Sequence, residues 1–528
     1  MSRKSRCRGW SLRVSLVLLL SLVGGTMLAP ARAEHVNRSS HHMSLFSAAL
    51  ESVKSNELQR HVEVLADDTF EGRQEATRGG RAAAGYLTQL LEKAGLESAG
   101  EQGYLQPIPS GGRNILAIYR GADPVLRNEY VLIGGHYDHV GYGTPSNSFG
   151  PTGYIHNGAD DNASGVSAVL EIVDSLKRLP SRPRRSLLFA FWDGEENGLL
   201  GSKHWVSAPT VPLSQIAFAF NVDMVGRLEK EPVEVFGVRT APGLRSILSH
   251  SNHSDLPLSF EWEMKANSDH HSLFQHNIPV LMLHTGLHKD YHRPSDDAHL
   301  LDYPGMQQVT RLLLESALRI ADMPTRLAFR DGSRVENDTH RAQLEQRLPS
   351  LPPRLGVSWR RDDQPGLPLV RVAPGSAAGL AGLRVGDRLL AFAGEPIDDE
   401  QVFLRAVVRS PAQTSLTIQR PGEAESRMVA LTLQGQPSRW GFGWRLDTGN
   451  PGVAVLVRVV PHSTAADAGL QPGDRIYTAN DQPIEDDAVL ADLLARESRV
   501  SLKVERDGRV REVELAPEDA QDGQLPSP

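Results

Sequence analysis

The chain has 528 residues, 40% of them hydrophobic and 23% charged, with a formal net charge of −8. This is the make-up of a globular protein of about three or four domains, which excludes a mainly disordered or fibrous chain. The acidic balance argues against nucleic acid as a partner.

Residues 1–33 differ from the rest. Arg3, Lys4, Arg6, Arg8 and Arg13 precede an apolar core from Val14 to Val23, and Ala31-Arg32-Ala33 follows. A basic start, a short apolar core and an A-x-A site read as a secretory signal peptide, with an uncleaved anchor as the alternative. The mature chain is expected to begin at Glu34 and to be secreted or periplasmic. The segment carries six basic and no acidic side chains, so its removal takes the net charge from −8 to −14. The single cysteine, Cys7, lies before the apolar core, so disulfides are expected to play no part in the mature protein. Later segments fall short of the roughly eighteen consecutive apolar residues of a spanning helix, so no membrane association is expected after cleavage.

The next part alternates apolar strands with helical patterns. Strands are predicted at Asn114–Tyr119, Tyr130–Gly134, Leu187–Trp192, Ala217–Asn221 and Pro279–Leu283. Helices are predicted at Gly80–Leu96 and Gly165–Leu176, where Val166, Val169, Leu170, Val173 and Leu176 share one face. Strands that are apolar throughout, separated by helices, imply an α/β domain over 34–322. Its sheet should be mixed, largely parallel and sandwiched by helices.

Residues 323–349 are charged and bounded by prolines, as suits a linker with a short helix. Beyond it the chain repeats. Pro374-Gly375-Ser376-Ala377-Ala378, Ala381-Gly382-Leu383 and Gly386-Asp387-Arg388-Leu389 return 87 residues later. Their counterparts are Pro461-His462-Ser463-Thr464-Ala465, Ala468-Gly469-Leu470 and Gly473-Asp474-Arg475-Ile476. Two small β-rich domains are expected at 350–434 and 438–516, followed by a disordered tail at 517–528.

Polar residues gather where the apolar strands end. His136-Tyr137-Asp138, Asp193-Gly194-Glu195-Glu196 and Asp223 each follow a strand, and strand carboxyl ends in an open α/β sheet share one edge where ligands bind. Asp160-Asp161 starts the second helix, and Tyr291-His292 lies in a loop after the last strand. Histidine and carboxylate without cysteine is the donor set of zinc or a similar divalent ion. Two ions ~3.5–4 Å apart need one bridging carboxylate and two further donors each. His136, Asp161, Glu196, Asp223 and His292 supply that number. Glu195 remains, in the place of a general base that takes a proton from water and passes it to a leaving nitrogen.

The ordered blocks HYD (136–138), GADDNASG (158–165), DGEENGLLGS (193–202), NVDMVG (221–226), SDH (268–270) and YHRPSDD (291–297) resemble the secreted co-catalytic di-zinc aminopeptidases. Those enzymes have relatives of the glutamate carboxypeptidase and transferrin receptor type. The resemblance covers roughly residues 50–320. It implies that His136 and Asp223 hold one zinc, Glu196 and His292 the other, and that Asp161 bridges, being four residues before Gly165. It further implies Glu195 as base, Tyr291 as a hydrogen-bond donor to the oxyanion, Asp138 as the carboxylate orienting His136, and Asp269 in a similar supporting role. Cobalt or manganese are alternatives to zinc.

His139, His156, His270, His271, His284 and His288 are expected to be surface or satisfied polar residues, and Asp160 a helix N-terminal group. The loop Gly141–Asn157 is expected to shape the substrate pocket. Asn37, Asn162, Asn252 and Asn337 stand in glycan-acceptor sequences, and a glycan on Asn162 would interfere with the metal site.

The repeats resemble PDZ domains. Their glycine motifs are read as Arg354-Leu355-Gly356-Val357 and Gly441-Phe442-Gly443-Trp444, whose backbone N–H groups would meet a peptide C-terminus. Arg388 and Arg475 are expected to be structural. The implied activity is removal of N-terminal residues from peptide or protein substrates, with peptide C-termini as possible PDZ partners. Rival readings are a single-zinc glutaminyl cyclase, a non-catalytic peptide-binding protein, and a carboxypeptidase acting on acidic C-terminal residues.

Overall fold

The computed structural model describes residues 46–228 and 232–516. The expected signal peptide and C-terminal tail lie outside the described residues. No helix among the described residues is long and apolar enough to cross a membrane.

The first part is built on a nine-stranded sheet. Its strands are β1 (Glu97–Ser98), β2 (Leu105–Pro107), β3 (Arg113–Tyr119), β4 (Tyr130–His136), β5 (Ser186–Trp192), β6 (Ile216–Val222), β7 (Val233–Phe236), β8 (Leu258–Glu261) and β9 (Val280–His284). The spatial order is β1-β3-β5-β4-β6-β9-β7-β8, with β2 on β3. The central run β5-β4-β6-β9 is parallel, while β3 and β7 join it antiparallel. Every residue of β4, β5 and β6 is buried, as expected of strands covered on both faces. One face packs Leu132, Leu188 and Trp192 against Trp205, Leu273 and Phe274 of the helices Leu200–Ser207 and His270–Gln275. The helices Gly165–Ser175 and Tyr303–Asp322 also pack on β4.

Parallel pairing has one direct consequence for function. β4, β5 and β6 run the same way, so His136, the Asp193–Glu196 turn and Asp223 emerge at one edge of the sheet.

The repeats fold alike. One sheet orders β10 (Val357–Trp359), β11 (Leu367–Val372), β12 (Arg388–Phe392), β14 (Gln413–Gln419) and β15 (Arg427–Thr432), with β13 (Glu395–Pro396) on β12. The second orders β16 (Phe442–Leu446), β17 (Ala454–Val459), β18 (Arg475–Ala479), β20 (Val500–Arg506) and β21 (Arg509–Leu515), with β19 (Gln482–Pro483) on β18. The repeated Gly-Asp motif is structural. Asp387 accepts from Arg384 N and pairs with Arg420 at 2.7 Å, as Asp474 accepts from Gln471 N and pairs with Arg506 at 2.6 Å.

The structure corrects the pairing of the glycine motifs. Leu355 O and Trp440 O accept from Ala378 N and Ala465 N, while Gly356 O and Gly441 O accept from Ala373 N and Val460 N. Gly356 (φ +80°) and Gly441 (φ +82°) each lie where a Cβ would collide with Ser376 or Ser463. The equivalent loops are therefore Leu355-Gly356-Val357 and Trp440-Gly441-Phe442, two residues out of the 87-residue register. Gly443 and Trp444 lie inside β16.

Residues 323–349 are a packed segment as well as a connection. Glu336 pairs with Arg239 at 2.8 Å, and the helix Asp338–Glu345 presents Glu345 to Arg475. The second repeat docks on the first part through buried Arg245, whose Nε and Nη2 reach Glu505 at 2.8 and 3.1 Å. Arg239 also pairs with Asp447 at 2.5 Å, Leu258 N donates to Asp507 O at 3.1 Å, and Asn252 Nδ2 donates to Gly508 O at 2.9 Å. Asn252 is thus enclosed in this contact. The first repeat leans on the second through Gln401–His462 (3.0 Å) and Arg405–Asp467 (3.2 Å).

Candidate metal centre

Two side chains that sequence reading missed build the floor of the site. Arg73 is 1% exposed, and its Nε, Nη1 and Nη2 donate to the carbonyls of Tyr137, Leu65, Asn157 and Gly158. It ties the loop after β4 to the turn that carries Asp161. Burial pulls its pKa down to about 10, still leaving it charged at neutral pH. Asn162 Nδ2 donates to Val222 O and His136 O, and its Oδ1 accepts from Gly165 N and Met224 N. One amide thereby joins the ends of β4 and β6 to the start of the helix Gly165–Ser175. Asn162 is fully buried, which removes it from the surface available to a glycan. Asp296 accepts from the backbone N–H groups of Asp160 and Asp161 at 2.9 and 3.1 Å and fixes the turn from the other side.

On this floor the five expected donors converge. His136 Nε2 lies 3.4 Å from Asp161 Oδ1 and 3.2 Å from Asp223 Oδ1. His292 Nε2 lies 3.1 Å from Asp161 Oδ2 and 3.0 Å from Glu196 Oε2. Asp161 therefore offers one oxygen to each histidine. These sets, together with His139, could each hold a cation. A feature of His292 tests the fit. Its Nδ1 is bound to Asn147 O at 2.8 Å, which leaves Nε2 as the free lone pair. That Nε2 is buried and hydrogen-bonds neither nearby carboxylate, as a nitrogen aimed between them at a cation would be.

The other expected residues fall as follows. Glu195 and Tyr291 line the same cavity of about 350 Å³ as His136, Asp161 and Asp223. Withdrawal from water, joined by the charges of Glu196 and Asp269, pushes the Glu195 carboxyl well above its ordinary range. Burial likewise pushes the Tyr291 hydroxyl up, with Asp161 and Glu196 adding to it. Tyr291 stays a neutral donor. The Asp138 carboxylate sits 3.8 Å from His136 Nδ1, which has a nearer acceptor in Asp138 O at 3.2 Å. The same carboxylate accepts from Glu195 N and Glu196 N at 3.1 and 3.4 Å and so orients the turn that carries both glutamates. Asp269 is fully buried, and burial raises its pKa to about 6. Asp193, third carboxylate of the turn, accepts from Arg113 N and Tyr137 OH and joins β3 to the loop after β4.

The expectation for the lone histidines needs correction. His139, His156 and His270 are each at most 1% exposed, so the surface reading fails for all three. His156 is satisfied by Ser148 and Tyr154 O. His139 lies within the donor cluster, its Nδ1 2.7 Å from Glu196 Oε1. The HYD motif carries on into this residue, so position 139 was the available signal. In the loop Gly141–Asn157, Phe149 stacks on His292 with ring centres 5.6 Å apart.

Residues 114–317 match the model of peptidase family M28, and residues 369–420 and 455–506 each match the PDZ domain model. Leupeptin-inactivating enzyme 1 of Streptomyces exfoliatus is 30% identical over 220 residues, covering 40% of this chain and 46% of that protein. The chain thus spans less than half the length of that relative. A probable leucine aminopeptidase of Trichophyton verrucosum is 24% identical over 288 residues, 52% of this chain and 75% of that one. Among solved structures, the LapA aminopeptidase of Legionella pneumophila is similar at 18% identity and a TM-score of 0.44, over 58% of this chain and 81% of its own. A glutaminyl cyclase of Porphyromonas gingivalis is similar at 20% identity and a TM-score of 0.41, over 50% and 97%. The chain thus joins a segment that matches peptidase family M28 to two C-terminal segments that each match the PDZ domain.

Proposed function

We propose that the protein is a zinc-dependent aminopeptidase that removes N-terminal residues from peptides, exported by the signal peptide at residues 1–33. The observation that carries this reading is the sharing of Asp161 between two donor sets, 3.4 Å from His136 on one side and 3.1 Å from His292 on the other. His136 and Asp223 would hold one ion, Glu196 and His292 the second, with Asp161 between. Two divalent ions in those sets supply Lewis-acid polarisation of the scissile carbonyl and acidification of the attacking water.

The chain's own groups do the rest. Glu195 faces the shared cavity, takes the proton of the attacking water and delivers it to the departing amine. Tyr291 donates its hydroxyl to the oxygen on which negative charge develops. Asp138, bound to the Glu195 and Glu196 amides, keeps the base and the neighbouring donor in register.

The test is metal content per mature chain with hydrolysis of aminoacyl arylamides, for the wild type and Glu195→Gln. Two ions, with hydrolysis that falls about 10²–10⁴-fold in the variant while the ions stay, is the expected result. One ion with cyclisation of N-terminal glutamine would replace it by the cyclase reading, and absence of both ions and turnover by the binding-protein reading.

A further inference from the structure

His139 sits among the metal donors but separates from them on distance. Two donors bound to one tetrahedral ion at ~2.0–2.1 Å stand about 3.3 Å apart. The four donor pairs named above measure 3.0–3.4 Å. His139 Nδ1 instead lies 2.7 Å from Glu196 Oε1 and 3.7 Å from Asp161 Oδ2. The shorter distance is that of a charge-assisted N–H···O⁻ hydrogen bond.

The far side of the ring agrees. His139 Nε2 is buried and has no hydrogen-bond partner among the described residues. Were Nδ1 a ligand, the proton would move to Nε2 and leave a buried N–H unmet, at a cost of about 1–3 kcal/mol. With the proton on Nδ1, only a bare lone pair is left there. The two expected ligand histidines show the opposite pattern. His136 and His292 each have a backbone carbonyl against Nδ1, Asp138 O at 3.2 Å and Asn147 O at 2.8 Å, as metal-bound histidines do.

Resting on the di-metal reading, we propose that His139 is a positioning residue. Its Nδ1–H holds Glu196 Oε1, so that Glu196 offers Oε2 alone to the ion shared with His292 and Asp161. Each ion would then be held by three protein groups, one by His136, Asp161 and Asp223 and the other by Asp161, Glu196 and His292.

The experiment is cobalt(II) titration of the metal-free full chain against a competing chelator, with the cobalt absorption spectrum recorded, for wild type, His139→Leu and His139→Asn. The asparagine side chain keeps an N–H near the place of Nδ1. His139→Leu should weaken one of the two sites 10–100-fold and leave the other unchanged, and His139→Asn should restore that site with a wild-type spectrum. A His139→Asn variant as weak as His139→Leu, with an altered spectrum, would make His139 a ligand and overturn the proposal. Wild-type affinity in His139→Leu would overturn it too. Wild type that takes up fewer than two cobalt ions would instead sink the di-metal reading itself, whatever the variants do.

Discussion

Two buried clusters of charge sit in this chain, and they are assembled on opposite rules. Where the second PDZ domain meets the peptidase domain, each guanidinium faces a carboxylate: Arg245 with Glu505, Arg239 and Arg330 with Glu336, Arg239 also with Asp447, and Arg475 with Glu345. At the sheet edge, Asp138, Asp161, Glu195, Glu196 and Asp223 crowd around three imidazoles, and the nearby Arg73 spends its donors on carbonyls. A balanced cluster completes itself within the chain. An unbalanced one is left to be finished by something from outside, which on the proposed reading is a pair of cations. Charge balance therefore separates the cluster that holds shape from the one proposed to do chemistry.

The largest effect should come from breaking the balanced cluster. Arg245→Met leaves Glu505 buried and unpaired, and should cost about 3–5 kcal/mol in denaturant unfolding. Pairing it with Glu505→Leu should recover most of that loss. A double variant as unstable as the single one would show that the contact depends on shape and not on charge matching.

The unbalanced cluster should respond with the opposite sign. In the metal-free chain at neutral pH, Asp269→Asn should raise stability by about 1–3 kcal/mol, because it removes a buried charge that burial disfavours. A loss of stability would mean that Asp269 is held by bonds worth more than its desolvation. The smallest effects, in pH dependence, sharpen the contrast. Asp269 is raised to about 6, so its contribution is full below pH ~4 and is lost as pH rises through about 6. Burial opposes the Glu336 charge, but Arg239 and Arg330 outweigh it and hold its pKa down to about 2. Its contribution is full above pH ~4.5 and is lost as pH falls towards 2. Stability curves of metal-free Asp269→Asn and of Glu336→Gln should therefore diverge from wild type with opposite signs, the first rising above it as pH climbs from ~4 through 6 and the second falling below it as pH climbs from ~2 to 4.5.

The site was legible in the sequence because a parallel sheet delivers strand ends to one edge, so apolar runs followed by His136, Glu195-Glu196 and Asp223 announce a shared location. The PDZ pair was legible through its repeat. What stayed hidden depends on contacts without local signature. Arg73 looks like any surface arginine until its carbonyl partners, up to 85 residues away, are brought together. Asn162 reads as a glycan acceptor, although its amide is the clasp of the site. The 87-residue register concealed a two-residue shift at the glycine loops, because the second repeat carries two glycines and only Gly441 meets its serine. Nothing near Arg245 announces Glu505, 260 residues on.

That last separation bears on biogenesis. A chain made from its N-terminus completes the strands of the metal site hundreds of residues before β20 and β21 exist. Until they arrive, Arg245 and the edge of β8 at Leu258 wait for the hairpin that covers them. Any product truncated before Glu505 carries this unmet surface. The β20–β21 hairpin thus acts as the cover of this edge, and a chain stopped or nicked before it would be registered at the peptidase domain itself.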